Sequence, residues 1–290
     1  MASSTSKVIV RLSGGLGNQM FQYAFGRAIA RDRELCFDDS CFASDRLRQF
    51  RLGCFGVDIQ WSAVPRPARL LVDAPGAWRL MRLLGGSLPL PGCRIQWDQM
   101  AGYDPAAGSC DGTLVAVGYW QDVRYFASIA DEIRESFRPN SDPCSETIGL
   151  LEQSPEAIGV QVRRGDYVDA RTAEFHPPQP VSYFRDAVRR LAVDQGVRTA
   201  IVCSDDPEWA KANLKLPVDR MLFREKPAED WEDMALLSQC AHIVISNSSF
   251  GWWSAWLGAR EGREVICPAK WYGAKGASFG HPGLSEWHAL

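Results

Sequence analysis

The amino-acid sequence predicts an α/β protein built from two strand–helix–strand halves. The chain opens with a β-branched strand, a glycine turn and an alanine-rich helix. Its second half alternates short apolar strands with helices, which is typical of a parallel sheet covered on both faces. A polar, proline-containing stretch lies between the halves, so we expect an N-terminal lobe over residues 1–140, a linker over 141–154 and a C-terminal lobe over 155–290.

The composition is that of an ordinary globular protein and excludes a nucleic-acid partner. Of the 290 residues, 46% are hydrophobic and 23% are charged, and the formal net charge is −3. A chain that binds nucleic acid would carry a basic field. Any anionic ligand must therefore bind to a local arginine cluster.

Cysteine spacing and hydropathy bear on the compartment. The nine cysteines are scattered without a Cys-x-x-Cys pair, which predicts reduced thiols and argues against a zinc knuckle. The opening residues lack the apolar segment of a signal peptide, and no run of about 18 apolar residues could span a bilayer. We expect a cytoplasmic protein, for which docking on a membrane surface stays open. The oligomeric state is not predicted.

The N-terminal lobe begins with a βαβ unit. We predict a strand over 7–12, a glycine turn over 13–17, a helix over 18–31 and a strand over 34–37. Glycines at the carboxyl end of a strand let the backbone approach a phosphate or sugar, although a tight turn without a ligand gives the same pattern. The candidate ligand-side residues are Gly15, Gly17, Asn18 and Gln19.

The remaining elements follow from hydrophobic patterning. Residues 62–112 lack a sustained period, which predicts irregular structure with short helices, and a strand over 113–117 and a helix over 122–137 come next. In the C-terminal lobe we predict strands over 157–162, 199–203, 221–223, 243–245 and 265–267, and helices over 182–195, 207–214, 229–240 and 249–257.

The segment QVRRGDY, residues 161–167, follows the first strand of the C-terminal lobe. Two adjacent arginines at the end of a buried strand need partners. One of them can pair with Asp166, and the other can bind a diphosphate in bidentate fashion. A surface network of arginine and aspartate is the alternative.

Two more strand ends carry polar side chains. After the strand over 199–203, a carboxylate of Asp205 or Asp206 can accept two N–H bonds from guanine or cap the next helix, and Asp206 is the better cap because Pro207 follows it. Residues 246–249 run into the helix over 249–257, where hydroxyls and free N–H groups form either a phosphate cradle or an N-cap. The tryptophans of that helix have helical spacing, which predicts core packing.

The usual metal-binding patterns are missing. The chain has no Asp-x-Asp, and its four histidines form no ligand pair. We therefore expect no divalent metal and no cofactor, with arginine, hydroxyls and helix ends neutralising a departing diphosphate.

Six segments together resemble the family 11 glycosyltransferases, the α-1,2-fucosyltransferases. They occur in family order over nearly the whole chain. The segments are GGLGNQMFQYAFGRAIA (14–30), GYWQDVRYF (118–126), VQVRRGDY (160–167), CSDDPEW (203–209), ISNSSFGWWSAWL (245–257) and VICPAKWY (265–272).

The resemblance implies a GT-B-like fold of two Rossmann-type lobes with a cleft between them. It also implies metal-independent, inverting transfer of fucose from GDP-fucose to the 2-hydroxyl of a galactose-terminated oligosaccharide acceptor. If that acceptor is a lipid-linked glycan, the expected location is peripheral at the inner membrane. The family's donor-side roles carry over to Arg163 for the pyrophosphate, Asp205 for guanine, and Ser248 and Ser249, with the adjoining Phe250, for phosphate. Asn18, with its glycine turn, would line the cleft from the acceptor lobe.

Residue 161 departs from the family, which usually has histidine where this chain has Gln161. Strand alternation puts Gln161 on the same side as Arg163, which predicts a contact with the guanine or ribose of the donor. The leading candidate for the general base is Asp166, and Asp169, Glu174 and a donor phosphate oxygen are the alternatives.

Three other functions compete with this one. A nicotinamide or flavin oxidoreductase would use Gly15 and Gly17, but Met20 stands where the dinucleotide fingerprint needs a third glycine. A module that binds sugars or nucleotides without catalysis would need no base. A transferase that uses another GDP-sugar, such as GDP-mannose, would share the fold.

Overall fold

A computed structural model describes residues 6–225 and 229–290 of the chain. The chain divides into two compact units, Met1–Asn140 and Ser141–Leu290. Residues 1–5, which contributed to the signal-peptide expectation, lie outside the described part. Within the described ranges, none of the helices combines the length and the apolar character needed to cross a bilayer.

The first unit is an α/β layer structure around a five-stranded sheet. Its strands are β1 (Lys7–Arg11), β2 (Glu34–Asp38), β3 (Ser87–Leu90), β4 (Cys93–Trp97) and β5 (Leu114–Val117). Its helices are α1 (Leu16–Ala30), α2 (Arg66–Val72), α3 (Ala77–Leu83) and α4 (Ala130–Ser136). The sheet order is β2-β1-β5-β4-β3, and only β3 runs antiparallel to its neighbour. The predicted βαβ opening is confirmed.

Two predictions in the first unit were wrong. The segment over 62–112 holds the β3–β4 hairpin as well as two helices; Pro89 and the short length of β3 hide the strand pattern. The helix predicted over 122–137 is α-helical only in α4, because Asp122 accepts a hydrogen bond from the Arg124 N–H and closes a short turn instead.

The second unit has a six-stranded, wholly parallel sheet. Its strands are β6 (Ile158–Val162), β7 (Thr199–Ser204), β8 (Arg220–Phe223), β9 (His242–Val244), β10 (Val265–Cys267) and β11 (His288–Ala289). Its helices are α5 (Ser145–Gln153), α6 (Ala170–Ala173), α7 (Val181–Gln195), α8 (Pro207–Asn213), α9 (Asp230–Gln239) and α10 (Ser249–Leu257). The order is β11-β10-β9-β6-β7-β8. The alternation predicted from the sequence is confirmed.

The predicted linker over 141–154 is part of the second unit. Most of it forms α5, which packs on α9, and Thr147 in α5 accepts a 2.6 Å hydrogen bond from the guanidinium of Arg224. Arg224 is buried and also contacts Glu232 and Asp233 of α9 at 2.7 and 2.8 Å. Burial raises the pKa of Asp233 to about 6. The sequence did not show this helix as structural because its partners lie some 80 positions away in the chain.

Strand order defines where each sheet can bind a ligand. From β6 the chain goes to β7 and β8 on one side and then returns to β9 on the other. The loops after β6 and β9 therefore diverge, and such a switch point forms a crevice at the carboxyl ends of the strands. In the first unit the same reversal separates β1 from β5.

Candidate functional site

Arg163 stands at the switch point of the second unit, directly after β6. Its Nη2 is 2.6 Å from Asp166 Oδ1, and its Nη1 is 2.8 Å from Asp205 Oδ2. The guanidinium also lies over the ring of Tyr167, with 5.4 Å between its carbon and the ring centroid. The side chain is 23% exposed. Two carboxylates and an aromatic face therefore hold one guanidinium at the mouth of the crevice.

Arg164 is also engaged, which corrects the expectation that one arginine of the pair stays free. Its Nε is 3.3 Å from Asp206 Oδ2, and its guanidinium carbon stacks 4.1 Å from the ring centroid of Trp209. Its backbone N–H donates to Asp205 Oδ1 at 2.8 Å. The two arginines thus pair with different aspartates, and Arg164 turns towards α8.

Asp205 already has a protein partner at each carboxylate oxygen. Oδ1 accepts from the Arg164 N–H, and Oδ2 contacts Arg163. A Cβ on Gly165 would lie 2.6 Å from Oδ2, so the loop after β6 needs glycine there. The contact between Asp205 and guanine stays a prediction, and it would require an exchange of partners. The N-cap role of Asp206 is confirmed, because its side chain accepts from the Trp209 N–H at 3.2 Å.

Ser246 connects the ends of β6 and β9. Its backbone N–H donates to Gln161 Oε1 at 3.1 Å, and its hydroxyl donates to the Gln161 carbonyl at 2.9 Å. The same hydroxyl accepts from the Arg163 N–H at 3.0 Å. These three bonds fix the position of the loop before α10 relative to Arg163.

Asn247 anchors this loop rather than facing a ligand. It is buried, and its Nδ2 donates to the carbonyls of Pro177 and Trp271 at 3.1 and 3.0 Å. Its Oδ1 accepts from Gln179 Nε2 at 3.1 Å, and its carbonyl accepts from the Tyr167 hydroxyl at 3.0 Å.

The hydroxyl residues predicted to form a phosphate cradle before α10 differ in their exposure. Ser248 is buried and is the N-cap, because its hydroxyl accepts from the Phe250 N–H at 3.2 Å. Ser249 and Phe250 are partly exposed. Of the three hydroxyls in residues 246–249, only that of Ser249 belongs to a partly exposed residue. The core packing predicted for Trp252, Trp253 and Trp256 is confirmed.

Replacing Asn247 with alanine tests whether this side chain anchors the loop before α10. The change leaves the carbonyls of Pro177 and Trp271 and the amide of Gln179 without these partners, so we expect the free energy of unfolding to fall by about 2 kcal/mol. Ser249→Ala, the control, removes one partly exposed hydroxyl and should leave stability within about 0.5 kcal/mol. Urea denaturation measures both. Equal stability of the two variants would contradict the anchoring role.

Gln161 is only 5% exposed, and its amide oxygen is bonded to Ser246. A Cβ on Gly251 would lie 2.7 Å from that oxygen, so α10 packs closely over the amide. The predicted contact with the nucleotide stays a prediction. The observed contact makes Gln161 a support for the loop that leads into α10.

Gln161→Ala should raise the donor KM about fivefold to tenfold with a small change in kcat, since the buried Ser246 N–H loses its acceptor. Gln161→His should stay active when its imidazole is neutral and can accept that bond. Protonation removes the acceptor, so the affinity of this variant for the donor should fall as the pH drops below about 6.5. Donor KM measured against pH checks both. A donor KM that improves in acid would instead indicate a direct contact with the diphosphate.

His176, which the sequence analysis did not single out, lies next to the Arg163 loop. Its ring stacks on Tyr167 at 5.3 Å between centroids and tilts against Tyr272 at 5.5 Å. Burial lowers its pKa; Asp166 opposes this effect and Arg163 adds to it. Nδ1 is buried and has no hydrogen-bond partner in the described residues. The only sequence signal was a histidine shortly after the double arginine.

Each of the three carboxylates proposed as bases has a partner within the protein. Asp169 caps α6 by accepting from the N–H groups of Arg171 and Thr172. Glu174 pairs with Lys275. Asp166 is bound to Arg163. Among the residues that the structure describes, no group of three or more His, Cys, Asp or Glu side chains is arranged to hold a metal ion.

The predicted acceptor-side residues lie at the switch point of the first unit, after β1. Gly15 is the N-cap of α1, and Asn18 accepts from Gln121 Nε2 at 2.8 Å; both are partly exposed. Gly17 and Gln19 are buried. The Gln19 amide donates to the carbonyls of Gly14 and residue 49 and accepts from the N–H of residue 51, so it supports the loop, and its ligand-side role stays a prediction.

Known proteins similar to this chain are glycosyltransferases. The profile described as glycosyl transferase family 11 matches residues 103–287. An α-1,2-colitosyltransferase of Escherichia coli is 29% identical, covering 97% of this chain and 98% of its own. The galactoside α-(1,2)-fucosyltransferase 1 of Leontocebus fuscicollis is 31% identical over 46% of this chain and 40% of its own.

A solved structure supports the fold. The fucosyltransferase NodZ from Bradyrhizobium superposes with a TM-score of 0.56 at 16% identity, over 87% of this chain and 92% of its own. The predicted GT-B fold class is thereby confirmed. The glycosyltransferase profile spans the Arg163 loop and the loop before α10, which excludes the oxidoreductase alternative. The chain belongs to glycosyl transferase family 11.

Proposed function

We propose that the protein transfers L-fucose from GDP-fucose to the 2-hydroxyl of a galactoside, with inversion and without a metal. The observation that carries this proposal is the placement of Arg163 at the switch point, next to the first turn of α10. A guanidinium and a helix N-terminus together favour a diphosphate. The name of the Leontocebus relative and a NodZ crystal soaked with GDP-fucose support the donor and linkage.

The reaction is a single displacement at the anomeric carbon of fucose. The acceptor oxygen forms the new bond, the bond to the β-phosphate oxygen breaks, and GDP departs with the electron pair. Arg163 would stabilise the charge that develops on the diphosphate, and Ser249 with the α10 N-terminus would bind its oxygens. Asn18 and Gly15 remain the proposed acceptor-side residues.

The acceptor hydroxyl must lose its proton to a nearby group. Asp166 is paired with Arg163, whereas burial lowers the pKa of His176 and so favours its neutral form. We therefore favour Nε2 of His176 as the proton acceptor. Asp166 would orient Arg163 and raise the pKa of the imidazole.

Calorimetry with GDP, UDP and ADP, with and without EDTA, tests the donor. We expect GDP to bind more tightly than UDP, and EDTA to leave its affinity unchanged. Turnover of GDP-fucose on lactose then tests the transfer. Loss of GDP binding in EDTA, or equal affinity for UDP, would contradict the proposal.

Colitose is a second candidate for the transferred sugar. A colitosyltransferase is similar to this chain over 97% of its length, whereas the Leontocebus fucosyltransferase is similar over 46% of it. Turnover with the GDP-linked form of each sugar on one acceptor decides between them, and the higher kcat/KM identifies the donor.

A further inference from the structure

Helices α2 and α3 of the first unit form a small layer over the sheet. Ala68 and Val72 of α2 and Met81 of α3 are buried in one hydrophobic cluster with Ile95 and Val115 of the sheet. One side of each helix is therefore committed to the core, and the opposite side faces outward.

The outward sides are unusually apolar. Leu70 is 77% exposed and Leu83 is 85% exposed, and Trp78, Leu80 and Leu84 are each about half exposed, at 49%, 50% and 47%. The solvent side of a surface helix normally carries polar residues. Large apolar side chains gathered on two adjacent short helices instead mark an interaction surface.

The same segment has a charge opposite to that of the chain. Residues 66–86 carry four arginines and one acidic residue, Asp73, which gives +3 in a chain of −3. All four arginines are exposed; they are Arg66, Arg69, Arg79 and Arg82. The guanidinium carbon of Arg79 lies 5.3 Å from the ring centroid of Trp78. We call these arginines and the five exposed apolar residues the arginine–leucine face.

We propose that the arginine–leucine face docks on an anionic phospholipid bilayer. The leucines and Trp78 would enter the boundary between head groups and acyl chains, where tryptophan is favoured, while the arginines bind lipid phosphates. A second copy of the chain fits less well, because two such faces would each bring a charge of +3 to the contact. The bilayer supplies both an apolar layer and the opposite charge.

Sedimentation with vesicles tests this interaction. The full chain should bind to phosphatidylcholine vesicles that contain phosphatidylglycerol, and it should bind much more weakly to vesicles of phosphatidylcholine alone. Its affinity for the anionic vesicles should fall as the salt concentration is raised. Arg66→Glu/Arg79→Glu should weaken binding about twentyfold or more, since each arginine near such a surface contributes about fivefold. Leu70→Gln/Leu83→Gln should weaken binding at every salt concentration.

Arg189→Glu/Arg198→Glu is the matched control. It makes the same change in net charge at exposed positions of the second unit, at 53% and 76% exposure, and should bind vesicles like the parent protein. Equal loss of binding in the control, or equal binding to uncharged vesicles, would overturn the proposal. The proposal would also be overturned if the parent protein sedimented as a dimer without lipid and Leu70→Gln/Leu83→Gln made it a monomer. Turnover on a soluble acceptor should be unchanged in all three variants, so failure to bind membranes is distinguishable from failure of the proposed transfer.

Discussion

Arg163→Ala should lower kcat for sugar transfer by about a hundredfold or more, because Arg163 is the proposed counter-charge for the departing diphosphate. Arg163 lies between Asp166 and Asp205 at 2.6 and 2.8 Å, so its removal also leaves two carboxylates without their cation. Urea denaturation of the variant is therefore needed beside steady-state kinetics. We expect the fold to survive with a modest loss of stability.

Arg164→Ala is the matched control for this prediction. Arg164 stacks on Trp209 and pairs with Asp206, away from Arg163, so its loss should have the smaller effect on kcat. Arg163→Lys keeps the charge but loses the bidentate geometry of the guanidinium, so its kcat should lie between those of the wild type and Arg163→Ala. If Arg164→Ala abolished turnover in a stable protein while Arg163→Ala was mild, the roles of the two arginines would be reversed.

His176→Gln should lower kcat by about a hundredfold while leaving the donor KM nearly unchanged, because a proton acceptor acts in the chemical step. In wild type, kcat/KM should be flat at neutral pH and fall only below pH 6.5, since burial lowers the pKa of His176 and only the neutral ring accepts a proton. The acid limb should be absent from the variant. The measurement is kcat and KM across pH for both proteins.

Asp166→Asn serves as the comparison for His176. It keeps the shape of the side chain but removes the carboxylate that contacts Arg163 and raises the pKa of His176. Its acid limb should therefore shift to still lower pH rather than disappear. Loss of the limb in Asp166→Asn, with the limb retained in His176→Gln, would make Asp166 the base.

Local patterns predicted most elements well because their hydrophobic residues are close in sequence. Strand β10 and helix α10 have the predicted bounds, and β6 and α7 differ by one residue at one end. Two elements were missed for different reasons. Strand β3 is short and contains Pro89, so its strand pattern is weak. Helix α5 depends on Arg224, which lies far from it in the chain.

The sequence by itself determined the α/β class, the two halves, the family resemblance and the three strand ends that carry the polar loops. These features rest on periodicity, turn residues and motif order, all of which are local. Only the tertiary structure decided which loop residues support the fold and which remain exposed to a ligand. Strand order brings the ends of β6 and β9 together, so Gln161 binds Ser246 and Asn247 becomes an anchor. It likewise places His176 beside Tyr167, because a side chain's partners depend on which segments the fold makes neighbours.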